Sequence, residues 1–407
     1  MEQAQIKSLL QSKIFAHPRA KNYNSYSQNV LRQLSRCHTI RLGMHLYRCN
    51  NCTHQHHQYH SCGNRHCPNC GGLKREQWLQ DRMSELLPTT YFHLVFTLPQ
   101  QLRSLTLGNR SLLFNLLFEA STYTIRKLSM DVKYLGAVPG IITVLHTNGQ
   151  DLCFHPHVHC IVTGGGFSKD KKWITQKRKN GHFLFPRRAM EKIFKAYFLE
   201  KLQQYYQQQL LKTVEGFCFE ALIKQVGCIK WNVYAKAPFG GPAQIVEYLG
   251  RYTHKVAIST HRIKEISDET ITFSYKDYRD GNKQKLMILS HQEFLRRFEQ
   301  HILPKGFVKI RHSGFLSHQH KGERLKMICE QLQIAALPAK VALPVEVLAA
   351  MRYGVDIRKC SVCQNGTMEL IASYVNASHV GVQLVNVEQL QPRNKASPRM
   401  AVTTNSL

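Results

Sequence analysis

The stretch that most constrains the fold is residues 154–162, whose sequence is FHPHVHCIV. Read as a β-strand, it points successive side chains to opposite faces, so His157 and His159 share one face. Val158 and Cys160 occupy the other face and can pack into a core. Two imidazoles held close together on a buried strand suit a divalent metal ion. The alternative is that both histidines only satisfy hydrogen bonds, because short histidine motifs recur by chance.

The histidine strand is expected to form a hairpin with the segment before it. Residues 141–146 and 152–162 flank Asn148-Gly149, and this dipeptide is the strongest short turn signal. The hairpin therefore places the histidines inside a sheet. Another buried strand is predicted at residues 91–98, with His93 on one of its faces.

A later stretch supplies candidate nucleophiles. Residues 243–256 follow Gly-Gly-Pro and are predicted to form a helix, which places Tyr248 and Tyr252 on one face, a turn apart. A tyrosine attacks a phosphodiester only if the phosphate is polarised, and a metal held by the paired histidines would do this. The alternative is that both tyrosines only pack against neighbouring residues. Lys255 would either stabilise phosphate charge or remain a solvated residue at the helix end.

A Cys-rich segment near the N-terminus predicts structural zinc. Its candidate ligands are Cys37, His45, Cys49, Cys52, Cys62, His66, Cys67 and Cys70. The two CxxC pairs at residues 49–52 and 67–70 have nearly the usual spacing of a four-cysteine site, and the other four residues form a possible second set. Cys360 and Cys363 are half a zinc site with no obvious partner nearby in the sequence.

The charge of the chain indicates a polyanionic partner. Its 55 Lys and Arg residues against 26 Asp and Glu residues give a formal charge of +29, and nucleic acid is the expected partner. Residues 169–188 are predicted to form a basic loop, with Trp173, Phe183 and Phe185 among its cations. Such a loop suits single-stranded DNA, although a solvated loop has the same composition. The candidate DNA-binding residues are Lys171, Lys172, Lys177, Arg178, Lys179, Arg187, Arg188 and Arg251.

The cellular compartment is expected to be a reducing one. The 13 cysteines cluster in CxxC pairs instead of spreading as a disulfide framework. No apolar signal segment is found, and the most apolar late run, residues 334–351, contains charged residues and prolines. The sequence therefore predicts a protein of the reducing cytoplasm with no membrane partner.

Taken together, these stretches resemble the HUH endonucleases and look most like the IS91-type rolling-circle transposases of the two-tyrosine kind, with an N-terminal transposase zinc-binding domain. The resemblance spans roughly residues 25–330. Besides the histidine strand and the Cys-rich segment, it is carried by residues 92–99, FHLVFTLP, and by residues 247–259. Several ordered motifs make it more specific than any one of them.

The resemblance implies a transposase that nicks and rejoins single-stranded DNA at insertion-sequence ends and at its target. Cleavage would leave a 5′-phosphotyrosine and a free 3′-hydroxyl, and Mg²⁺ or Mn²⁺ would polarise the scissile phosphate. With two tyrosines, one can hold the donor end while the other attacks a second strand. A third metal ligand is usual in the family; His155 and His93 are candidates, and Gln244 is a weaker one.

The expected fold class is α+β. A zinc-binding head at residues 31–75 would follow an N-terminal helical segment at residues 1–30, and an HUH nuclease domain at residues 88–315 would carry a central antiparallel sheet and the tyrosine helix. A C-terminal helical region at residues 316–376 would contain the last CxxC, and residues 391–407 would form a disordered tail.

Two alternative functions remain at this stage. One is a plasmid replication initiator or relaxase of the HUH class, although no G-x-x-x-x-G-K-[ST] helicase motif is present. The other is a zinc protein that binds DNA without cutting it, which would keep its full activity without Tyr248 and Tyr252.

Overall fold

The computed structural model describes residues 2–176, 184–236, 244–245, 250, 257–278, 280–376 and 382–385. The α-helices are α1 Gln3–Leu9, α2 Ser25–Ser35, α3 Gly72–Met83, α4 Arg103–Gly108, α5 Arg110–Ser129, α6 Arg187–Gln207, α7 Phe219–Cys228, α8 His291–Glu299, α9 Lys321–Gln331 and α10 Val345–Tyr353. The strands are β1 Met44–Cys49, β2 Gln55–Tyr59, β3 Tyr91–Thr97, β4 Val138–Asn148, β5 Phe154–Phe167, β6 Trp173–Thr175, β7 Asn232–Lys236, β8 Ile263–Ile266, β9 Thr270–Asp277, β10 Lys283–Ser290, β11 Ile310–Ser313, β12 Met368–Asn376 and β13 Val382–Val385.

The chain divides into two compact units. The large unit comprises Met1–Ser35 and Gly63–Gly354, and the small unit comprises Arg36–Cys62 and Val355–Leu407. Of the zinc-binding head predicted at residues 31–75, residues 36–62 belong to the small unit and the rest to the large unit, and the predicted domain bounds stay a prediction. The small unit combines part of the predicted head with the C-terminal segment.

The large unit is built around a mixed-length antiparallel sheet with the strand order β11-β4-β5-β3-β7, and β6 pairs with β5. This is the central antiparallel sheet that the sequence predicted. The predicted hairpin is its centre: β4 and β5 pair from Val138↔Phe167 to Asn148↔Phe154. Alternation along β5 gives the sheet one apolar face and one face that carries the histidines.

The apolar face packs against helices. Val158 and Cys160 of β5 are fully buried, and they lie in one core with Phe114 of α5 and with Phe194 and Phe198 of α6. Each such aromatic side chain contributes about 1.5–3 kcal/mol by its burial, so this face holds β5 firmly against the helices. The rigid backbone of β5 in turn fixes the positions of its histidines.

A second, three-stranded sheet of the order β8-β9-β10 completes the large unit. It ends in helix α8, whose first turn is capped because Ser290 Oγ accepts a hydrogen bond from the Glu293 N–H at 3.2 Å. Within the described residues, no helix combines the length and the apolar character needed to cross a membrane.

The small unit contains a four-stranded sheet of the order β13-β12-β1-β2. Strand β1 pairs antiparallel with β2, its neighbour in the sequence, and with β12 near the C-terminus. The region predicted as helical, residues 316–376, contains helices α9 and α10, and its last part forms strand β12 of this sheet.

Candidate metal centre

Three histidines converge on one face of the central sheet. The ligand atoms of His146, His157 and His159 all lie within 4.8 Å of one another. Strand alternation aligns His157 with His159, and the hairpin register sets His146 directly opposite His157. His146 and His159 are buried, and His157 is partly buried. Three converging imidazoles, with no acid among them, are a donor set typical of a divalent transition metal.

His146 was not among the metal ligands predicted from the sequence. It lies at the end of the predicted first strand of the hairpin, where only the cross-strand register reveals its neighbour. The signal that could have found it is the alternation itself: Ile142, Val144 and His146 share a face with the paired histidines.

Hydrogen bonds orient the rings of His157 and His159. The Nδ1–H of His157 donates to the carbonyl oxygen of His155 at 2.6 Å, which leaves the Nε2 lone pair on the opposite side of the ring. His159 Nδ1 lies 2.9 Å from His93 Nε2, and the two rings are parallel to within 6°. Such bonds to the second ring nitrogen fix the tautomer and the direction of a metal-binding imidazole.

The candidates for a third ligand take other roles. His93 is buried and contacts His159, and it does not join the three-histidine group. Arg103 donates to His155 Nδ1 at 3.1 Å, and burial together with the charge of Arg103 lowers the pKa of His155. Gln244 is exposed. Among the described residues, His146 is therefore the histidine that completes the set.

A cavity of about 530 Å³ opens beside the metal centre. His146 contributes to its wall, and the cationic side chains of Arg65, Lys74 and Lys309 also line it. The remaining wall includes apolar side chains such as Phe307. The cavity thus joins positive charge and an apolar surface at the edge of the three-histidine group.

A second histidine, His301, lines the same cavity as His146 and is neutral. His301 is fully buried, and its Nε2–H donates to the Leu152 carbonyl oxygen at 3.0 Å while Nδ1 lies 3.1 Å from Thr147 Oγ1. Burial lowers the pKa of His301 to about 4, so this side chain carries no charge near neutral pH.

The predicted nucleophiles and the cations near them lie outside the described residues; these are Tyr248, Tyr252, Lys255 and Arg251. Two described residues lie on either side of Tyr248. Ile245 is buried in one apolar cluster with Ile142 and Ile161, which share the histidine face of the sheet. A Cβ atom on Gly250 would lie 2.4 Å from a methyl carbon of Leu79 in α3, so the backbone passes close to that helix.

The predicted DNA-binding loop is only partly described. Lys171, Lys172, Arg187 and Arg188 are exposed, whereas Lys177, Arg178 and Lys179 lie outside the described residues. Arg187 also forms an ion pair with Glu191 at 2.8 Å.

The described aromatic residues of this loop pack against other parts of the protein, whereas Phe183 lies outside the described residues. Phe185 is buried in the core, and Trp173 packs against Phe315 with ring centroids 5.6 Å apart. The sequence pattern did not separate core aromatic residues from exposed ones.

The predicted zinc ligands are divided between the two units. The spacing of the CxxC pairs predicted that Cys49 and Cys52 would group with Cys67 and Cys70, and this grouping is wrong. The sulfur atoms of Cys49 and Cys52 lie within 4.8 Å of those of Cys360 and Cys363. The last CxxC therefore has a partner in the small unit. Backbone N–H groups, that of Gly366 first, lower the pKa of the Cys363 thiol to about 6.

The other predicted zinc ligands lie in both units, and their hydrogen bonds and burial differ. In the small unit, the N–H of Cys62 donates to Cys37 Sγ at 3.4 Å, and His45 Nδ1 lies 2.6 Å from Ser373 Oγ. In the large unit, burial lowers the pKa of His66 to about 3. The assignment of these residues to zinc, together with Cys67 and Cys70, stays a prediction.

Comparisons with known proteins identify matches to two family models and relatives that are matched over most of their length. Residues 8–98 match the family model of a transposase zinc-binding domain, and residues 140–324 match a family model described as "Putative transposase". The chain is 41% identical over 357 residues to the putative transposase y4qJ of Sinorhizobium fredii, covering 84% of this chain and 88% of the relative. It is 32% identical over 337 residues to the transposase for insertion sequence element IS801 of Pseudomonas savastanoi pv. phaseolicola, covering 80% and 79%.

Among solved structures, the chain is similar to the conjugative relaxase TrwC in complex with oriT DNA, in its metal-bound structure. The sequence identity is 12%, the TM-score is 0.23, and the match covers 40% of this chain and 71% of the relaxase chain. A TM-score this low is not evidence of a shared fold or a shared function.

Proposed function

The chain belongs to the IS91-type transposases with an N-terminal zinc-binding domain, and we propose that it nicks and rejoins single-stranded DNA at insertion-sequence ends through a 5′-phosphotyrosine intermediate. The observation that carries the proposed chemistry is the group of His146, His157 and His159 on the central hairpin. The sequence relatives are transposases, which favours this function over a replication initiator, a relaxase or a DNA-binding protein without catalysis.

The three histidines fit a divalent metal ion. Because His157 donates through Nδ1, and because His93 lies at Nδ1 of His159, both ligands would bind the ion through Nε2. A donor set of three imidazoles favours Mn²⁺ over the harder Mg²⁺, since Mg²⁺ prefers oxygen ligands. When bound, the ion supplies a Lewis acid that polarises the scissile phosphate.

Tyr248 and Tyr252 are the proposed nucleophiles. The phenol oxygen forms a bond to phosphorus and loses its proton, while the bond from phosphorus to the 3′ oxygen breaks and that oxygen gains a proton. The phosphotyrosine keeps the energy of the phosphodiester, so rejoining needs no ATP. The burial of Ile245 on the histidine face supports this role, because it brings the chain three residues before Tyr248 to the correct side of the sheet. Arg251 and Lys255 would stabilise phosphate charge.

The DNA strand is proposed to run along the cavity beside His146. Its cations Arg65, Lys74 and Lys309 would neutralise phosphates, and its apolar wall would receive a base. Further phosphate contacts would come from Lys171, Lys172, Lys177, Arg178, Lys179, Arg187 and Arg188. Because the proposed substrate is the DNA of a bacterial insertion sequence, the proposal includes a cytoplasmic, nucleoid-associated location. The zinc bound by the N-terminal domain would have a structural role, away from the chemistry.

The test is to incubate the purified protein with single-stranded element ends and Mn²⁺ and to look for a covalent adduct that protease removes. We expect an adduct with the wild-type protein and none with EDTA or with the Tyr248→Phe/Tyr252→Phe variant. A matched control is Tyr234→Phe, because Tyr234 is an exposed tyrosine on β7 and has no proposed role in cleavage. Cleavage by the double variant at the wild-type rate would contradict the proposal.

A further inference from the structure

We propose that Cys49, Cys52, Cys360 and Cys363 bind a structural zinc ion that joins the two chain segments of the small unit. The matched zinc-binding family model ends at residue 98 and therefore contains only the first pair. The second pair lies about three hundred residues later, with a sequence separation of 314 between Cys49 and Cys363. The inference concerns metal content alone, so it stands independently of the proposed cleavage chemistry.

The distances between the sulfur atoms fit a tetrahedral zinc site. Cys49 Sγ lies 3.7 Å from Cys363 Sγ, and Cys52 Sγ lies 3.7 Å from Cys360 Sγ. Zinc–sulfur bonds of about 2.3 Å in a tetrahedron place the sulfur atoms about 3.8 Å apart. A disulfide would require about 2.05 Å between the two sulfur atoms, so this arrangement is that of a metal site and not of two disulfides.

The two CxxC turns share two backbone features. The Cys49 N–H donates to the His54 carbonyl at 2.8 Å, and the Cys360 N–H donates to the Gly366 carbonyl at 2.9 Å. The residue after each second cysteine has a left-handed backbone, with φ +59° at Thr53 and φ +60° at Gln364. A positive φ is unfavourable for threonine and glutamine. Its occurrence directly after the second cysteine of both pairs indicates that both turns are constrained to present their cysteines in a similar way.

Backbone N–H groups point at the sulfur atoms from both turns. Asn51 and Cys52 donate to Cys49 Sγ at 3.4 and 3.5 Å, and Gly366 donates to Cys363 Sγ at 3.3 Å. These bonds stabilise thiolates, which are the form that zinc binds. Gly366 also has to be a glycine, because a Cβ atom there would lie 2.2 Å from Cys49 Sγ. The backbone thus approaches the sulfur cluster as closely as it can.

The metal site would also lock the pairing of two strands. Cys49 is the last residue of β1 and lies opposite Met368, the first residue of β12. Binding converts four thiols and Zn²⁺ into a zinc tetrathiolate with a charge of −2 and releases four protons. Because such a site forms only when both turns are in place, its binding free energy contributes to the folding of the small unit.

The experiment compares zinc content in full-length proteins purified without added metal. The Cys360→Ser/Cys363→Ser variant is expected to contain one zinc ion fewer per chain than the wild type, as measured by elemental analysis. The Cys218→Ser/Cys228→Ser variant serves as the control, because both cysteines are exposed and lie outside the group, and its zinc content should not change. Unchanged zinc in the first variant would overturn the proposal.

A measurement on the wild-type protein keeps the test decisive if the variant fails to fold. Alkylation of the native protein should label Cys218 and Cys228 at once, whereas Cys360 and Cys363 should be labelled only after a chelator removes zinc. The Cys363→His variant, which retains a zinc ligand, should regain the protection at Cys360. Immediate labelling of Cys360 and Cys363 in the zinc-loaded protein, or their recovery as a disulfide, would refute the site.

Discussion

At the scale of single residues, the metal centre depends on the ring nitrogen that each histidine presents. His157 and His159 each have a hydrogen-bonding partner at Nδ1, a backbone carbonyl in one case and His93 in the other. His155 has the wrong surroundings for this role, because Arg103 contacts its Nδ1 and disfavours a second cation nearby. The structure therefore distinguishes the candidate metal ligands from neighbouring histidines that look alike in the sequence.

We expect His146→Ala to be as damaging as a change of the predicted ligands. Loss of one of three ligands should reduce the nicking rate at least a hundredfold, while the affinity for DNA stays within about twofold because phosphate contacts come from elsewhere. Nicking assays and gel-shift titrations measure the two effects. His155→Ala is the matched control and should retain most activity; the opposite ranking would show that His155 is the third ligand.

His93→Ala should weaken metal binding without removing a ligand. Loss of a hydrogen bond to a metal-binding histidine typically lowers metal affinity by about 10–100-fold, so nicking should require correspondingly more Mn²⁺. The maximal rate should recover at high metal concentration, which would not happen for His146→Ala. The measurement is the Mn²⁺ dependence of the nicking rate, and an unchanged midpoint would remove His93 from this role.

At the scale of secondary structure, local signals predicted what local interactions determine. The hairpin of β4 with β5 and the alternation along β5 depend on residues close together in the sequence, and the structure contains both, although the chain turns after Asn148, between Gly149 and Cys153. His146 lies opposite His157 because of the register between the two strands. That register depends on the length of the connecting loop, which the sequence alone does not determine. Only residues 244–245 and 250 of the tyrosine segment are described, whereas Tyr248 and Tyr252 lie outside the described residues, so the predicted placement of both tyrosines on one helix face stays a prediction.

Long-range strand pairing explains the remaining differences between the prediction and the structure. Cys49 and Cys52 were matched by spacing to the nearest later CxxC, but β1 pairs with β12, and this brings Cys360 and Cys363 to them. No local pattern reports such pairing. Similarly, Phe185 belongs to the core of the large unit although its neighbours in the sequence are basic.

The approach of Gly250 to α3 makes a prediction about this contact. Gly250→Val should push against Leu79 and slow nicking, because the segment between the tyrosines would have to move away from its position. The second change Leu79→Ala removes the methyl groups that a new side chain would meet, so the double variant should recover part of the rate. Nicking rates for the single and double variants form a cycle. Strict additivity in that cycle would show that the two residues do not interact.

At the scale of the whole molecule, the formal charge of +29 should govern DNA affinity. If six to ten phosphates are contacted, affinity should fall by about 10³–10⁵ between 50 and 200 mM salt, since bound counterions are released on association. Fluorescence anisotropy with labelled single-stranded DNA measures this slope. Replacing Lys171 and Lys172 together by Gln should reduce the slope by about the two contacts removed. An affinity independent of salt would contradict a mainly electrostatic interface.

The whole account requires that a tyrosine of this chain becomes linked to DNA, and that both tyrosines can do so. The most direct test is mass spectrometry of the adduct peptide after incubation with a single-stranded element end, using the wild type, Tyr248→Phe, Tyr252→Phe and the double variant. We predict an adduct in each single variant, on the tyrosine that remains, and none in the double variant. Each single variant should still fail to complete transposition. An adduct found on only one tyrosine, with the other Phe variant fully active in transposition, would contradict the two-tyrosine mechanism.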